Sequence, residues 1–375
     1  MTVTSADVYE RFGVQRVINA AGRMTMLGGV ALTEEVAAAM AEAGRAYVRL
    51  EDLKNRAGEI IARLTGAEAA CLTTGAAAGI VQMVAACVVG DDPLGVEQLP
   101  DVAHERREIL IQLGHWVGFG APVAQMVRMG GGRPTPVGLA NSVCPEQLAL
   151  SITAKTAGYL YVQSHHTVHH GMLSLDTCIQ ICHERSVPVI VDAAAEEDAS
   201  LYVRMGVDAV TYSGGKAFGG PTSGFILGRA ALIRGCRAQE RGIARPMKVG
   251  KETIVGLLVA MERYLARDAT KVAAEIARQQ QLVNRIASGL RGLPGISVTS
   301  RADEAGRAIV RAAIAVDPAT GKDAAGLARF LTEGPVAIYP RGHRVDEGFV
   351  AIDPRPIDDR DADLIVERVR RFVGG

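Results

Sequence analysis

Between residues 60 and 230 the chain alternates short apolar runs with amphipathic segments, a pattern that few architectures can accommodate. The runs are Ala69–Thr73, Glu108–Leu113, Thr156–Val162, Val187–Val191, Ala209–Tyr212 and Gly224–Leu227. Each is bounded by Gly, Pro, Asp or Ser, and most are rich in Val, Ile, Leu or Tyr, as strands buried on both faces of a mainly parallel sheet are. Between them, Ala78–Val88 and Leu173–Arg185 carry apolar side chains at helical spacing. The alternation predicts an α/β layered domain with its ligand outside the carboxyl ends of the strands.

Two long helical patterns flank this region. Thr33–Thr65 opens with a cap at Thr33 followed by Glu34 and Glu35, and Lys251–Leu290 leads into a C-terminal domain. That domain is expected to hold strands near Ile296–Thr299, Ala308–Val316, Val336–Tyr339 and Phe349–Ile352, with helices at Ala324–Leu331 and Asp361–Phe372. The acidic, proline-containing stretch Val89–Arg107 is expected to be an exposed excursion. The expected division is therefore 1–60, an N-terminal segment serving the small domain and the active site; 61–250, a large ligand-binding domain; and 251–375, a small α+β domain.

Composition narrows the function. The 375 residues are 48% hydrophobic, enough for a large core. Lys plus Arg and Asp plus Glu are equal at 41 each, so no global field draws in nucleic acid or an acidic membrane. Cys71, Cys87, Cys144, Cys178, Cys182 and Cys236 lie mostly in apolar or helical contexts without zinc-ribbon or redox spacing, and are expected to be reduced packing residues. The start, MTVTSADVYERFGVQ, has no apolar run behind a basic segment, and no run approaches the ~20 apolar residues that cross a bilayer. A cytoplasmic protein acting on a small molecule is expected.

Four features fall at the ends of predicted strands. Thr73-Thr74-Gly75-Ala76-Ala77-Ala78-Gly79 offers backbone N–H groups and a helix N-terminus to a phosphate, although an ordinary strand–helix turn reads the same way. Asp192, closing Val187–Val191, is a carboxylate that must be paired or solvated. It can cap the next helix or bind the pyridinium nitrogen of a cofactor. Lys216 lies in the turn of Tyr212-Ser213-Gly214-Gly215-Lys216, where a confined amine suits imine formation and Ser213 suits a phosphate, although most lysines are merely solvated. His115 and the run Ser164-His165-His166-Thr167-Val168-His169-His170 follow strands directly. Neighbouring histidines on a turn seldom converge on one metal ion, so they suit stacking on a cofactor ring or a structural polar loop. In order, these features resemble fold-type-I pyridoxal-phosphate enzymes.

Longer motifs sharpen the resemblance. Asn19-Ala-Ala-Gly-Arg23-Met-Thr, Gly114-His115 with Phe119-Gly-Ala-Pro-Val, Gln163-Ser-His-His166, Val191-Asp192-Ala-Ala-Ala-Glu-Glu-Asp198 and Tyr212-Ser213-Gly-Gly-Lys216 are similar to those of the selenocysteine synthase (seryl-tRNA selenium transferase) family. The ammonia-lyase branch acting on D-glucosaminate 6-phosphate looks nearer, and the likeness runs from Val17 to Arg355. It implies an aspartate-aminotransferase-like fold, with a mainly parallel seven-stranded sheet in the large domain and a smaller α+β C-terminal domain. It also implies pyridoxal 5'-phosphate held as a Schiff base on Lys216 and at its pyridine nitrogen by Asp192. Thr74, Gly75, Ala76 and Ser213 would cradle its phosphate, with His115 over the ring and His165 beside it. Arg341 and Arg355 are candidates for the substrate carboxylate; Arg245 and Lys248, with Arg23, for a distal phosphate. Lys248 stands where selenium transferases tend to carry a second arginine, so the anion geometry differs there.

The reaction implied is loss of water and ammonia from a 2-amino-3-hydroxy acid to give a 2-keto-3-deoxy acid. The cofactor motifs equally suit an aldolase, a racemase or a β-lyase, or a selenium transferase acting on aminoacyl-tRNA. The tRNA-binding N-terminal module of selenium transferases is not expected here, because the core pattern begins near residue 10. The family also implies a homodimer or larger homo-oligomer with active sites at subunit interfaces.

Overall fold

The strands buried on both faces are where the apolar runs predict them. A computed structural model of the chain describes residues 8–164, 166–303, 309–334 and 336–374. Its strands are β1 (Ile18–Ala20), β2 (Ala69–Thr73), β3 (Glu108–Gln112), β4 (Arg133–Val137), β5 (Thr156–Val162), β6 (Val189–Asp192), β7 (Ala209–Ser213), β8 (Gly224–Gly228), β9 (Ile296–Ala302), β10 (Val310–Val316), β11 (Ile338–Pro340) and β12 (Phe349–Ile352). The helices are α1 (Glu34–Arg45), α2 (Leu50–Thr65), α3 (Ala76–Val89), α4 (Pro93–Gln98), α5 (Val123–Met129), α6 (Pro145–Ser151), α7 (Leu175–His183), α8 (Leu201–Arg204), α9 (Ala230–Ala238), α10 (Lys251–Leu265), α11 (Ala269–Gly289), α12 (Ala324–Thr332) and α13 (Asp359–Gly374).

The chain divides into two compact units: Leu32–Ala266, and the described residues before and after it. The first is built on a seven-stranded sheet of order β2-β8-β7-β6-β5-β3-β4, in which β8 alone runs against its neighbours. Alternate strand residues feed two cores. Leu110, Tyr159, Val189, Val191, Val210 and Phe225 belong to one. Ile109, Ile111, Leu160, Ile190 and Ile226 belong to the other, with Ile80, Met83 and Val84 of α3. The second unit holds the three-stranded antiparallel sheet β12-β10-β9 and the parallel pair β1-β11, packed with α11, α12 and α13.

Several expectations change. β4 has the sequence Arg-Pro-Thr-Pro-Val, and no strand was expected there. Its two prolines fit because β4 is an edge strand, paired among the described residues with β3 alone. The helical pattern at 33–65 breaks at 46–49 into α1 and α2, and that at 251–290 breaks before Asp268, which caps α11 by accepting the Lys271 N–H. Thr33 is at the N-cap of α1, but its side chain makes no cap bond. The stretch 89–107 is not a simple excursion: it contains α4 and buries Val96, Leu99 and Val102. Finally, the units part at 31/32 and 266/267, not at 60/61 and 250/251. The reason is the packing of α1 along α10: Met40 lies against Gly256, Arg263 pairs with Glu35, and the Lys251 ammonium donates to the carbonyls of Ala43 and Gly44.

Candidate active site

Strand register decides what can meet at the carboxyl edge of the large sheet. Gly224, the first residue of β8, pairs with Thr73 at the end of β2 and with Ser213 at the end of β7. The three therefore form one row, with the Gly75 turn above β2 and the Lys216 turn above β7. A side chain at 224 would not fit, because its Cβ would lie 2.7 Å from the Gly75 carbonyl carbon. One strand further on, Asp192 ends β6 opposite Thr211 and, on its other side, opposite Val162 of β5. Backbone bonds lace these ends together: Gln163 N–H donates to the Asp192 carbonyl (2.8 Å), Ala193 N–H to Thr211 (3.0 Å) and Ser213 N–H to Ala194 (3.2 Å).

The predicted residues in this unit fall as follows. Gly75 is the N-cap of α3, a helix with no side-chain cap, and the space beyond its Cα is open. Thr74 and Ala76 flank it. Lys216 is half-buried in the turn after β7, which is closed by Gly214 N–H to Ser223 O (2.8 Å) and Gly220 N–H to Gly214 O (2.9 Å). Phe218 fixes this turn by packing edge-on to Tyr212 (5.8 Å), Phe225 (5.1 Å) and Tyr264 (4.9 Å).

Asp192 is 5% exposed. Burial pushes its pKa up to about 6, against the Ala194 N–H that donates to it (3.1 Å) and the charge of Lys216. It does not cap a helix, because α8 begins only at Leu201. His115 is fully buried after β3. Its Nδ1 accepts the Val162 N–H (3.3 Å), its ring meets Tyr161 edge-on at 4.5 Å, and burial, then the neighbouring His169, lowers its pKa to about 4. The imidazole is neutral with its proton on Nε2, an atom that is buried without a hydrogen-bond partner among the described residues.

The remaining candidates separate. His165 lies outside the described residues. Arg245 and Lys248 are exposed around a turn between α9 and α10. Arg23, Arg341 and Arg355 belong to the other unit. There the Asn19 side chain folds its loop by donating to Gly22 O and accepting the Ala21 and Gly22 N–H groups. Gly22 itself lies against Asp353 and Arg355. Arg341 exchanges backbone bonds with Ala351 of β12, one strand away. Arg23, expected beside Arg245 and Lys248, is thus in the same unit as Arg341 and Arg355. Residues absent from the expected set are His169, 6.5 Å from His115, and Asp353, which engages Arg355. His169 stood in the histidine run after β5 and Asp353 two residues before Arg355, but neither residue type is distinctive enough to be singled out without coordinates.

The donor set fits pyridoxal phosphate: an uncapped helix N-terminus for a phosphate, a desolvated carboxylate for a pyridinium, and an amine whose charge reaches that carboxylate. Strand order, the lone antiparallel strand and these residues at the carboxyl edge define a fold-type-I enzyme of the aspartate-aminotransferase fold. The L-seryl-tRNA selenium transferase family model matches residues 17–291, and the chain belongs to that family. Family and fold together imply a pyridoxal phosphate cofactor.

Two curated relatives match along nearly their whole length. D-glucosaminate-6-phosphate ammonia lyase of Salmonella typhimurium is 41% identical over 98% of both chains. A 5'-C-glycyluridine monooxygenase-decarboxylase of a Streptomyces species is 43% identical over 97% of this chain and 92% of its own. A solved structure of D-glucosaminate-6-phosphate ammonia-lyase superposes with a TM-score of 0.92 at 40% identity, covering 99% of each chain.

The raised pKa of Asp192 has a measurable consequence. A group protonated more readily in the native state than its ordinary value of 3.8 loses stability as pH rises from about 4 to about 6, and stays penalised above that. The penalty is on the order of 3 kcal/mol, the gap between 3.8 and about 6 at ~1.36 kcal/mol per pH unit. Asp192→Asn should therefore raise the urea resistance of cofactor-free protein at pH 7–8, and the gain should fade as pH falls through 6. A loss of stability at pH 8 would mean that the carboxylate is held by favourable contacts.

Proposed function

We propose that the chain is a pyridoxal-phosphate-dependent carbon–nitrogen lyase. It converts a 2-amino-3-hydroxy acid, D-glucosaminate 6-phosphate or a related amino sugar acid, to a 2-keto-3-deoxy acid and ammonia. The observation that carries this reading is the end-to-end match, in sequence and in fold, to an ammonia-lyase of that specificity. The buried Asp192 beside Lys216 supplies the chemistry it needs.

When bound, the cofactor acts as an electron sink for the electron pair left at the amine-bearing carbon. Asp192 would keep the ring nitrogen protonated, which makes that sink effective. Lys216 would hold the cofactor at rest and take the α-proton during turnover. Thr74, Gly75 and Ala76 at the start of α3, with Ser213, would receive the cofactor phosphate, and His115, neutral and fixed by Val162, would lie over the ring. After loss of the β-hydroxyl as water, hydrolysis of the unsaturated amine yields the 2-oxo acid and ammonia, and no oxidant is consumed. Arg341 and Arg355 would take the substrate carboxylate, and Arg245 and Lys248, with Arg23, a distal phosphate. We place the enzyme in the cytoplasm, where its free thiols stay reduced, as a homodimer or larger homo-oligomer.

The 43% identity to a glycyluridine monooxygenase-decarboxylase favours a second reading, in which the carboxylate leaves and dioxygen is consumed. Incubating holoenzyme with D-glucosaminate 6-phosphate under nitrogen and, in parallel, in air separates the two. Equal amounts of 2-oxo acid and ammonia are expected without oxygen; carbon dioxide release tied to oxygen uptake would favour the second reading.

Borohydride reduction followed by peptide mapping should find the pyridoxyl group on Lys216, and a label on another lysine would overturn that assignment. Arg245→Ala should lower kcat/KM for the phosphorylated substrate ~10- to 150-fold, as expected for one lost charge-assisted hydrogen bond, with little effect on an unphosphorylated analogue. Equal losses on both compounds would exclude Arg245 from the phosphate subsite.

A further inference from the structure

The end of the three-stranded sheet carries a row of buried ions that stability alone does not explain. Asp303 follows β9, Arg311 lies on β10 and Asp353 follows β12, so neighbouring strands place them side by side. Arg311 reaches Asp303 at 2.8 Å and, through Nε, Asp353 Oδ2 at 3.1 Å. Asp353 in turn binds Arg355 through two parallel bonds, Nε to Oδ1 at 2.9 Å and Nη2 to Oδ2 at 2.8 Å. The side chains of Asp303, Arg311 and Asp353 are 3%, 8% and 0% exposed, whereas Arg355 is 16% exposed. Charges alternate along the row, and its accessible end is a cation.

Burying ions in this way gives up hydration, and well-packed apolar residues would serve stability at least as well. What the row provides is orientation. An arginine side chain has many rotamers, and fixing its plane beforehand removes that disorder from binding. Asp353 is itself immobile: its backbone N–H donates to Ala20 O (2.8 Å), and its Oδ1 accepts the Arg355 N–H (3.2 Å). Burial works to raise its pKa, but the hydrogen bond and charge of Arg355 and the charge of Arg311 outweigh this and hold it below the ordinary carboxylate range. Asp353 occupies one edge of the guanidinium, Nε and Nη2, and Nη1 belongs to the other edge.

We propose that Asp353, backed by Arg311 and Asp303, is a positioning residue that presents the second edge of Arg355 to the substrate carboxylate. The proposal rests on the assignment of Arg355 to that carboxylate. The test uses holoenzyme and two ligands differing only there, D-glucosaminate 6-phosphate and D-glucosaminitol 6-phosphate, with dissociation constants read from the change in cofactor absorbance. Arg355→Ala and Asp353→Asn should each weaken glucosaminate binding ~10-fold or more and leave glucosaminitol binding within about two-fold; Asp353→Glu should restore part of the loss.

If Arg355→Ala has this selective effect and Asp353→Asn does not, the positioning role is overturned and the carboxylate assignment stands. If Arg355→Ala is not selective, or the wild type does not distinguish the ligands, the assignment beneath the proposal fails. Equal weakening of both ligands by Asp353→Asn would mark a structural role and also overturn it. Should Asp353→Asn not fold, Asp303→Asn at the far end of the row serves instead, with a smaller but still selective loss expected and no selective loss counting against the proposal.

Discussion

Asp192 is a carboxylate taken out of water at the end of a strand buried on both sides, and its neighbours are arranged around that cost. Its own backbone is fixed by β5 and β7, the Ala194 N–H meets one oxygen, and the charge opposing its desolvation comes from Lys216 in the next strand's turn. An apolar residue here would pack without penalty. The fold instead keeps a group that burial disfavours in its charged form and that a cationic partner would relieve. This is how a protein stores electrostatic preorganisation, with the cost met by the large two-sided core beneath.

The row Thr73–Gly224–Ser213 depends on β8 running antiparallel. Because β8 begins where β2 and β7 end, its first residue lies at the rim of the site, and that residue must be small enough for the Gly75 turn to pass over it. The reversed strand thereby puts its entry, a glycine, between the helix N-terminus above β2 and the amine-bearing turn above β7.

Much of this was legible in the amino-acid sequence, for physical reasons that differ between elements. Six strands of the large sheet declared themselves because burial on both faces demands continuous apolar runs, and β5 is buried at each of its seven positions. β4 did not, because an edge strand can carry two prolines that would disqualify a central one. The helix breaks at 46–49 and before Asp268 were hidden because amphipathic periodicity runs on across both interruptions. Asp192 and Lys216 could be singled out because a strand-end carboxylate and a glycine-bound lysine are unusual. The partnership of Arg311 with Asp303 and Asp353 could not, since it depends on β9, β10 and β12 lying side by side, and register is a long-range property. The grouping of the candidate arginines was not legible either: only folding sets Arg23 in one unit with Arg341 and Arg355.

The parallel pair β1-β11 has a consequence for the chain as it is made. β1 occupies Ile18–Ala20 and its partner Ile338–Pro340, so β1 meets its strand only after about 320 further residues have been made. Residues 32–266 form a continuous unit that can collapse behind it as they leave the ribosome. At ~5–20 residues per second, β1 waits for its partner for roughly 15 to 60 s, long compared with the folding of most domains. During that interval the Asn19–Arg23 loop has neither Asp353 nor Arg355 to close on. Pairing of β1 thus follows synthesis of the whole first unit, and a nascent chain stalled before residue 338 would display a finished large sheet with β1 unpaired.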